Sequence, residues 1–231
     1  TLDAYYRSTK PYANQGGSYQ LVTAGAGVRF GVPFSEKDTV FFGAALERMD
    51  IKNGTNIPAY YLEYAELVGN PSNTLPLTIG WSNDSKDSGL IPTKGTFQRF
   101  NAEWGAAGDA RFVKLYYQYQ HFIPITRQFT MAFNSEIGWG QGLSGKPFPV
   151  FKNFYGGGLG TVRTFQQGSL GVVDPTGAYI GGAKRLNLNT ELYIPVPGTG
   201  NDRTLRVFGF ADAGNVWRED EKVTVDTLRS S

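Results

Sequence analysis

Apolar and polar residues alternate with period two along most of the chain, and helical spacing is scarce. In 129–139, Phe129, Met131, Phe133, Ile137 and Trp139 fall in one set with Ser135. Thr130, Ala132, Asn134, Glu136 and Gly138 form the other. In 186–194, Leu186, Leu188, Thr190, Leu192 and Ile194 oppose Asn187, Asn189, Glu191 and Tyr193. Val113, Leu115, Tyr117 and Tyr119 oppose Lys114, Tyr116 and Gln118. Weaker alternation marks 20–34, 39–51, 75–83, 96–105 and 204–216, and 1–8 reads as the end of a further strand. Successive side chains of a strand point to opposite faces, so this pattern predicts about nine strands with two unlike faces. One helix is predicted, Pro58 to Val68, where Tyr61, Tyr64, Ala65 and Val68 recur at 3–4 spacing.

Two architectures give such alternation. A sandwich buries the apolar set between two sheets. A membrane barrel turns the apolar set to lipid and the polar set to its lumen. The polar sets here hold Gly, Asn, Gln, Thr and single charges rather than the Lys/Glu mixture of a soluble surface. The strands run to about 10–14 residues against a usual 5–6, and Trp104, Tyr116, Tyr117, Phe122 and Trp139 lie near strand ends like interfacial girdles. These features favour an all-β, transmembrane antiparallel barrel over a soluble carbohydrate-binding sandwich.

The connections 34–38, 84–95, 123–127 and 195–203 are the shorter series. The others, 9–19, 52–74, 106–110, 141–183 and 217 onward, are mostly long, with 106–110 the exception. Outer-membrane barrels place short turns on the periplasmic side and long loops outside. Pro33, Pro124 and Pro195 sit at strand ends on the short side, where a missing donor is harmless. An odd count of about nine strands does not close an antiparallel barrel, and an open edge in lipid is not tolerated. The expectation is a partial barrel, one portion of a larger one.

Composition removes other classes. The 231 residues include no Cys and one His, at a formal net charge of +2. That leaves almost no parts for a zinc site, a thiol nucleophile or a Ser-His triad. It also lacks the basic footprint of a nucleic-acid binder. No run of eighteen apolar residues offers a transmembrane helix, and Thr1–Tyr5 has no signal-peptide anatomy. The chain begins as if inside a structural element. His121, near a short turn, reads as interfacial. Glu191 and Asp212 lie on polar strand faces, but nothing sets the separation that glycoside hydrolysis would need. No catalytic residue, metal or cofactor is assigned.

The segment 141–183 stands apart, with Gly156-Gly157-Gly158 and a lone Arg163 between Val162 and Phe165. The triple glycine is not followed by the Gly-Lys-Ser/Thr of a phosphate loop. Arg163 reads either as an anchor or as an incidental arginine on a flexible loop.

Here Phe154-Tyr155-Gly156-Gly157-Gly158, Thr161-Val162-Arg163-Thr164-Phe165 and Ser169-Leu170-Gly171 resemble the sixth extracellular loop of the BamA family of outer-membrane protein assembly factors. That family carries Val-Arg-Gly-Phe, so Thr164 departs from it and puts the turn geometry in question. Asp87–Gly95 resembles a periplasmic turn of the family, and Glu191–Pro195 and Phe210–Trp217 resemble two strands after the loop. TamA and the two-partner-secretion transporters share the loop signature more loosely. The resemblance implies a sixteen-stranded barrel preceded by POTRA domains, of which this chain covers roughly strands five to thirteen, without the POTRA domains or the first and last strands. It implies a bacterial outer-membrane barrel that inserts unfolded β-barrel clients without covalent chemistry, in contact with outer-membrane lipids and accessory assembly lipoproteins. The alternative is a passive or secretion channel. The resemblance also implies that the loop folds inward. Alternation puts Glu191 and Asp212 on inner faces, so both are expected to clamp Arg163, with Val162 and Phe165 packed beside it.

Overall fold

The computed structural model describes residues 1–10, 19–52, 54–196 and 205–231. Most of the predicted connections 9–19 and 195–203 lies outside the described residues. In chain order the elements are β1 (Leu2–Thr9), β2 (Gln20–Pro33), β3 (Asp38–Lys52), α1 (Ala59–Val68), β4 (Ser72–Asp84), β5 (Gly95–Gly108), β6 (Phe112–Pro124) and β7 (Thr130–Gly142). A 3₁₀ turn at Val150–Lys152 follows, then β8 (Val172–Val173), β9 (Tyr179–Gly181), β10 (Lys184–Pro195), β11 (Arg206–Trp217) and β12 (Arg229–Ser230). Nine long strands thus stand where alternation predicts them. β6 runs several residues beyond 113–119, because Gln120, His121 and Phe122 continue its alternation.

The long strands and β12 make one antiparallel sheet in the order β1-β2-β3-β4-β5-β6-β7-β10-β11-β12. β1 and β12 are its two edges and do not pair with each other, so the sheet is open. β8 and β9 form a separate hairpin inside the 142–184 segment. That segment is therefore not a plain loop, and bridges at Phe154↔Gly182 and Gly156↔Leu170 fold it further.

The two sheet faces differ as alternation requires. Phe42, Leu46, Ile79, Trp104, Phe133, Ile137, Trp139 and Leu188 are exposed on one face. A sandwich would cover such a face; here the chain covers the other one. The buried hydrophobic cluster lies at the long-connection end of the sheet. It joins Tyr61, Tyr64 and Val68 of α1 to Phe112 of β6 and to Phe148, Val150 and Ile180 of the 142–184 segment. Burial of these large side chains, at about 1.5–3 kcal/mol each, seats the segment and the helix together. Wall residues make room for it. A Cβ at Gly138 of β7 would come within 2.7 Å of the Phe154 ring, so glycine there is a slot for an aromatic.

Candidate functional site

The 142–184 segment turns at Val162–Phe165, where Phe165 N–H donates to the Val162 carbonyl at 3.2 Å. Before the turn, Gly157 and Gly158 adopt φ of 94° and 95°, a region that strongly favours glycine. Their N–H groups are used internally. Gly157 donates to Thr161 Oγ1 at 2.7 Å and Gly158 to the Val162 carbonyl at 3.2 Å. Gly156 packs against Leu170 and Val216. Thr164, central in the turn, is exposed. Among the described residues only Asn56 and Ser144 combine a side chain with positive φ, so Thr164 needs no glycine-only geometry.

Arg163 points from this turn to the inner wall. Its Nε and Nη2 donate to the two oxygens of Asp212, at 2.8 and 2.7 Å. Its backbone N–H donates to the same carboxylate at 3.1 Å. Nη1 lies 2.6 Å from Glu191 Oε1. The fork thus engages β11 and β10 together, in the bidentate geometry that suits a guanidinium. Register explains the meeting, because Asn189 pairs with Asp212 across β10 and β11, and Asn189 Nδ2 donates to Asp212 at 2.8 Å. The ring of Phe210 lies 4.1 Å from the guanidinium carbon. Asp212 has no exposed side-chain surface and Arg163 keeps 10 %. The hydrogen bond to Asp212 raises the Arg163 pKa above its ordinary value, so the cation stays charged. Val162 is fully buried beside it, while Phe165 is only half-buried.

A second buried cation escaped the sequence analysis. Lys152, on the 3₁₀ turn, lies 2.9 Å from Glu47 of β3 and 2.7 Å from Glu103 of β5. Lys114 of β6 donates to the Lys152 carbonyl at 2.6 Å. Burial works to lower the Lys152 pKa, but Glu103 and Glu47 outweigh it and hold it above its ordinary value. The detectable signal was Glu47 and Glu103, two acids at inward positions of their strands that lacked an assigned partner. Arg185 of β10 pairs with Glu136 of β7, and Glu219 receives the N–H groups of Gly142 and Phe148 at 2.8 and 2.9 Å.

Asp174 ties the segment to α1. Its carboxylate accepts the N–H groups of Ala59 and Tyr60 at 3.2 and 3.1 Å, capping a helix whose preceding residue is Pro58. Burial works to raise this carboxyl, but hydrogen bonds from Thr176, Tyr60 and Ala59 hold it below the ordinary 3.8. At the other helix end, Lys146 Nζ donates to the Leu67 carbonyl at 2.7 Å. His121 lies within β6 beside Tyr119, with ring centroids 6.0 Å apart.

What surrounds the turn is charge pairing and packing. The description of an Omp85 superfamily domain matches residues 1–231. The chain belongs to the Omp85 superfamily. It is 38% identical over 217 residues to the outer membrane protein assembly factor BamA of Neisseria meningitidis serogroup B, covering 86% of this chain and 27% of that protein. BamA of Nitratidesulfovibrio vulgaris is 29% identical over 177 residues, 73% of this chain and 22% of that protein. The mouse sorting and assembly machinery component 50 homolog is 31% identical over 142 residues, 58% of this chain and 29% of that protein. This Omp85 chain therefore spans about a quarter of the length of these relatives. The crystal structure of BamA from Haemophilus ducreyi lacking POTRA domains 1–3 superposes with a TM-score of 0.86 at 21% identity, covering 94% of this chain and 46% of that one. The open Omp85 sheet is accordingly a partial transmembrane antiparallel β-barrel, its exposed apolar face the lipid-facing one.

Proposed function

We propose that this chain is the central wall and inward segment of an outer-membrane assembly factor, a barrel that inserts and folds β-barrel client proteins. The observation that carries the reading is the Omp85 match along the whole chain, supported by the 38% identity to a BamA. The work is non-covalent: the barrel holds the inward segment fixed, and clients and outer-membrane lipids meet its wall. By the same reading accessory assembly lipoproteins are partners, no nucleic acid is a partner, and the chain is not an enzyme. Its strands correspond roughly to strands five to thirteen of a sixteen-stranded barrel with POTRA domains. The short connections 34–38 and 123–127 face the periplasm.

Arg163, gripping Asp212 and Glu191, is the proposed clamp of the inward segment, with Gly156, Gly157, Gly158, Val162, Thr164 and Phe165 shaping its turn. The test replaces the native gene by an Arg163→Ala allele in the full protein and follows folding of outer-membrane proteins. Slowed client insertion with normal passive solute flux supports the assembly reading. Unchanged insertion with altered flux would make the protein a channel instead.

A further inference from the structure

β4 carries a proline in mid-wall. Pro76 has no N–H for a ladder bond, and proline is ordinarily confined to edges and bulges. The pairing of β3 with β4 runs from Asp38↔Asn83 to Ala44↔Leu77, skips two positions, and resumes at Glu47↔Thr74. On the other side of β4, the register with β5 shifts between Leu75 and Pro76. Both ladders of one strand therefore fail at one level. The wall is hollowed there on both faces. Inside, a cavity of about 160 Å³ runs along β1–β3 past Tyr5, Gly27 and Gly43 and reaches Pro76, Glu47, Glu103 and Lys152 at the break. Outside, a groove of about 460 Å³ is lined by Leu46, Leu75 and Ala107.

Glu47 and Glu103 stand on the strands flanking β4, paired with Thr74 and Thr78 to either side of Pro76, and as bare carboxylates they would repel across the break. The Lys152 ammonium lies between them. We propose that Lys152 is a positioning residue that splints this break, fastening β3 to β5 across β4 when the 142–184 segment is docked. Without the splint, the Pro76 level is where the wall bends. The inference requires the barrel fold alone and does not rest on client insertion.

Hydrogen–deuterium exchange, with the full protein that contains this chain reconstituted in phospholipid bilayers, reads the break directly. Lys152→Met should speed exchange about tenfold in 44–47 and 74–77, with β7 and β10 unchanged, as expected of a local opening. Lys152→Arg should restore slow exchange, because a guanidinium also reaches two carboxylates. Adding Pro76→Ala to Lys152→Met should restore it too, by returning the missing donor. Should Lys152→Met fail to fold, Glu103→Gln carries the same expectation. Wild-type exchange at 44–47 and 74–77 in the variant that folds, uniform acceleration of the whole sheet, or no rescue by Pro76→Ala would each overturn the proposal.

Discussion

The inward segment sends two cations, Arg163 and Lys152, to acids of the wall, and the two contacts are built differently. Arg163 presents a planar fork that takes Asp212 with two nitrogens and Glu191 with a third, under an aromatic ring. Lys152 is a point charge held between single oxygens of Glu47 and Glu103. The fork fixes direction as well as charge, whereas the ammonium fixes charge and position only. The first contact joins adjacent strands, β10 and β11. The second reaches over β4 to join strands that are not neighbours. A fork suits a wall whose ladder already holds, while a point charge tolerates one whose ladder is interrupted.

The largest expected effect separates the two contacts. Arg163→Ala strands a fully buried Asp212 and should lower the stability of the docked segment by about 3–5 kcal/mol, read as an earlier heat-modification transition. Arg163→Lys should recover only part of it. Combined with Asp212→Asn, the loss should be clearly less than additive; simple additivity would mean the pair does not act as a unit. At the other contact Lys152→Arg should cost less than Arg163→Lys, because two single-oxygen contacts demand less planar geometry than a fork. A cost as large as that of Arg163→Lys would erase the distinction between fork and point charge.

A smaller effect concerns Asp174. Its replacement by Ala should cost about 1–2 kcal/mol, as for a lost helix cap, read by faster proteolysis within α1. The depressed pKa fixes the sign with pH. Stability from Asp174 is fully present above its unfolded value, the ordinary 3.8, and is lost as pH falls through the lower folded value. Acid-induced release of the helix should therefore begin below about pH 4 in the wild type and vanish in Asp174→Ala. The smallest effect is expected at Thr164. Because its turn is not in the left-handed region, Thr164→Gly should destabilise by about 0.4–1 kcal/mol through unfolded-state freedom. A gain in stability would show that the turn prefers the family glycine.

The wall was readable in the sequence because alternation is a local signal, repeated in every strand. The inward faces of Glu191 and Asp212 followed from the same period of two, as did the one helix from its tyrosine spacing. Lys152 was not readable. It sits in Pro147-Phe148-Pro149-Val150-Phe151-Lys152, which has no periodicity, and a lysine in a loop ordinarily points to water. Its partners lie 105 and 49 positions earlier, at Glu47 and Glu103. Asp174 escaped for a similar reason, since a cap is usually sought beside its helix and this one comes from over a hundred residues away. The break at Pro76 was within reach, because a proline inside 75–83 argues against an uninterrupted central strand.

The borrowed caps of α1 set an order of events. A helix of ten residues is too short to persist by itself in water, where roughly 12–15 residues are already marginal. Its first turn waits for Asp174, and its last for Lys146, both contributed by chain made much later. The helix is therefore a latecomer: strands must zip and the inward segment must seat before it has anything to close upon. Its appearance marks the seating of the inward segment, and a probe on Tyr60 or Glu66 would act as a clock for that step.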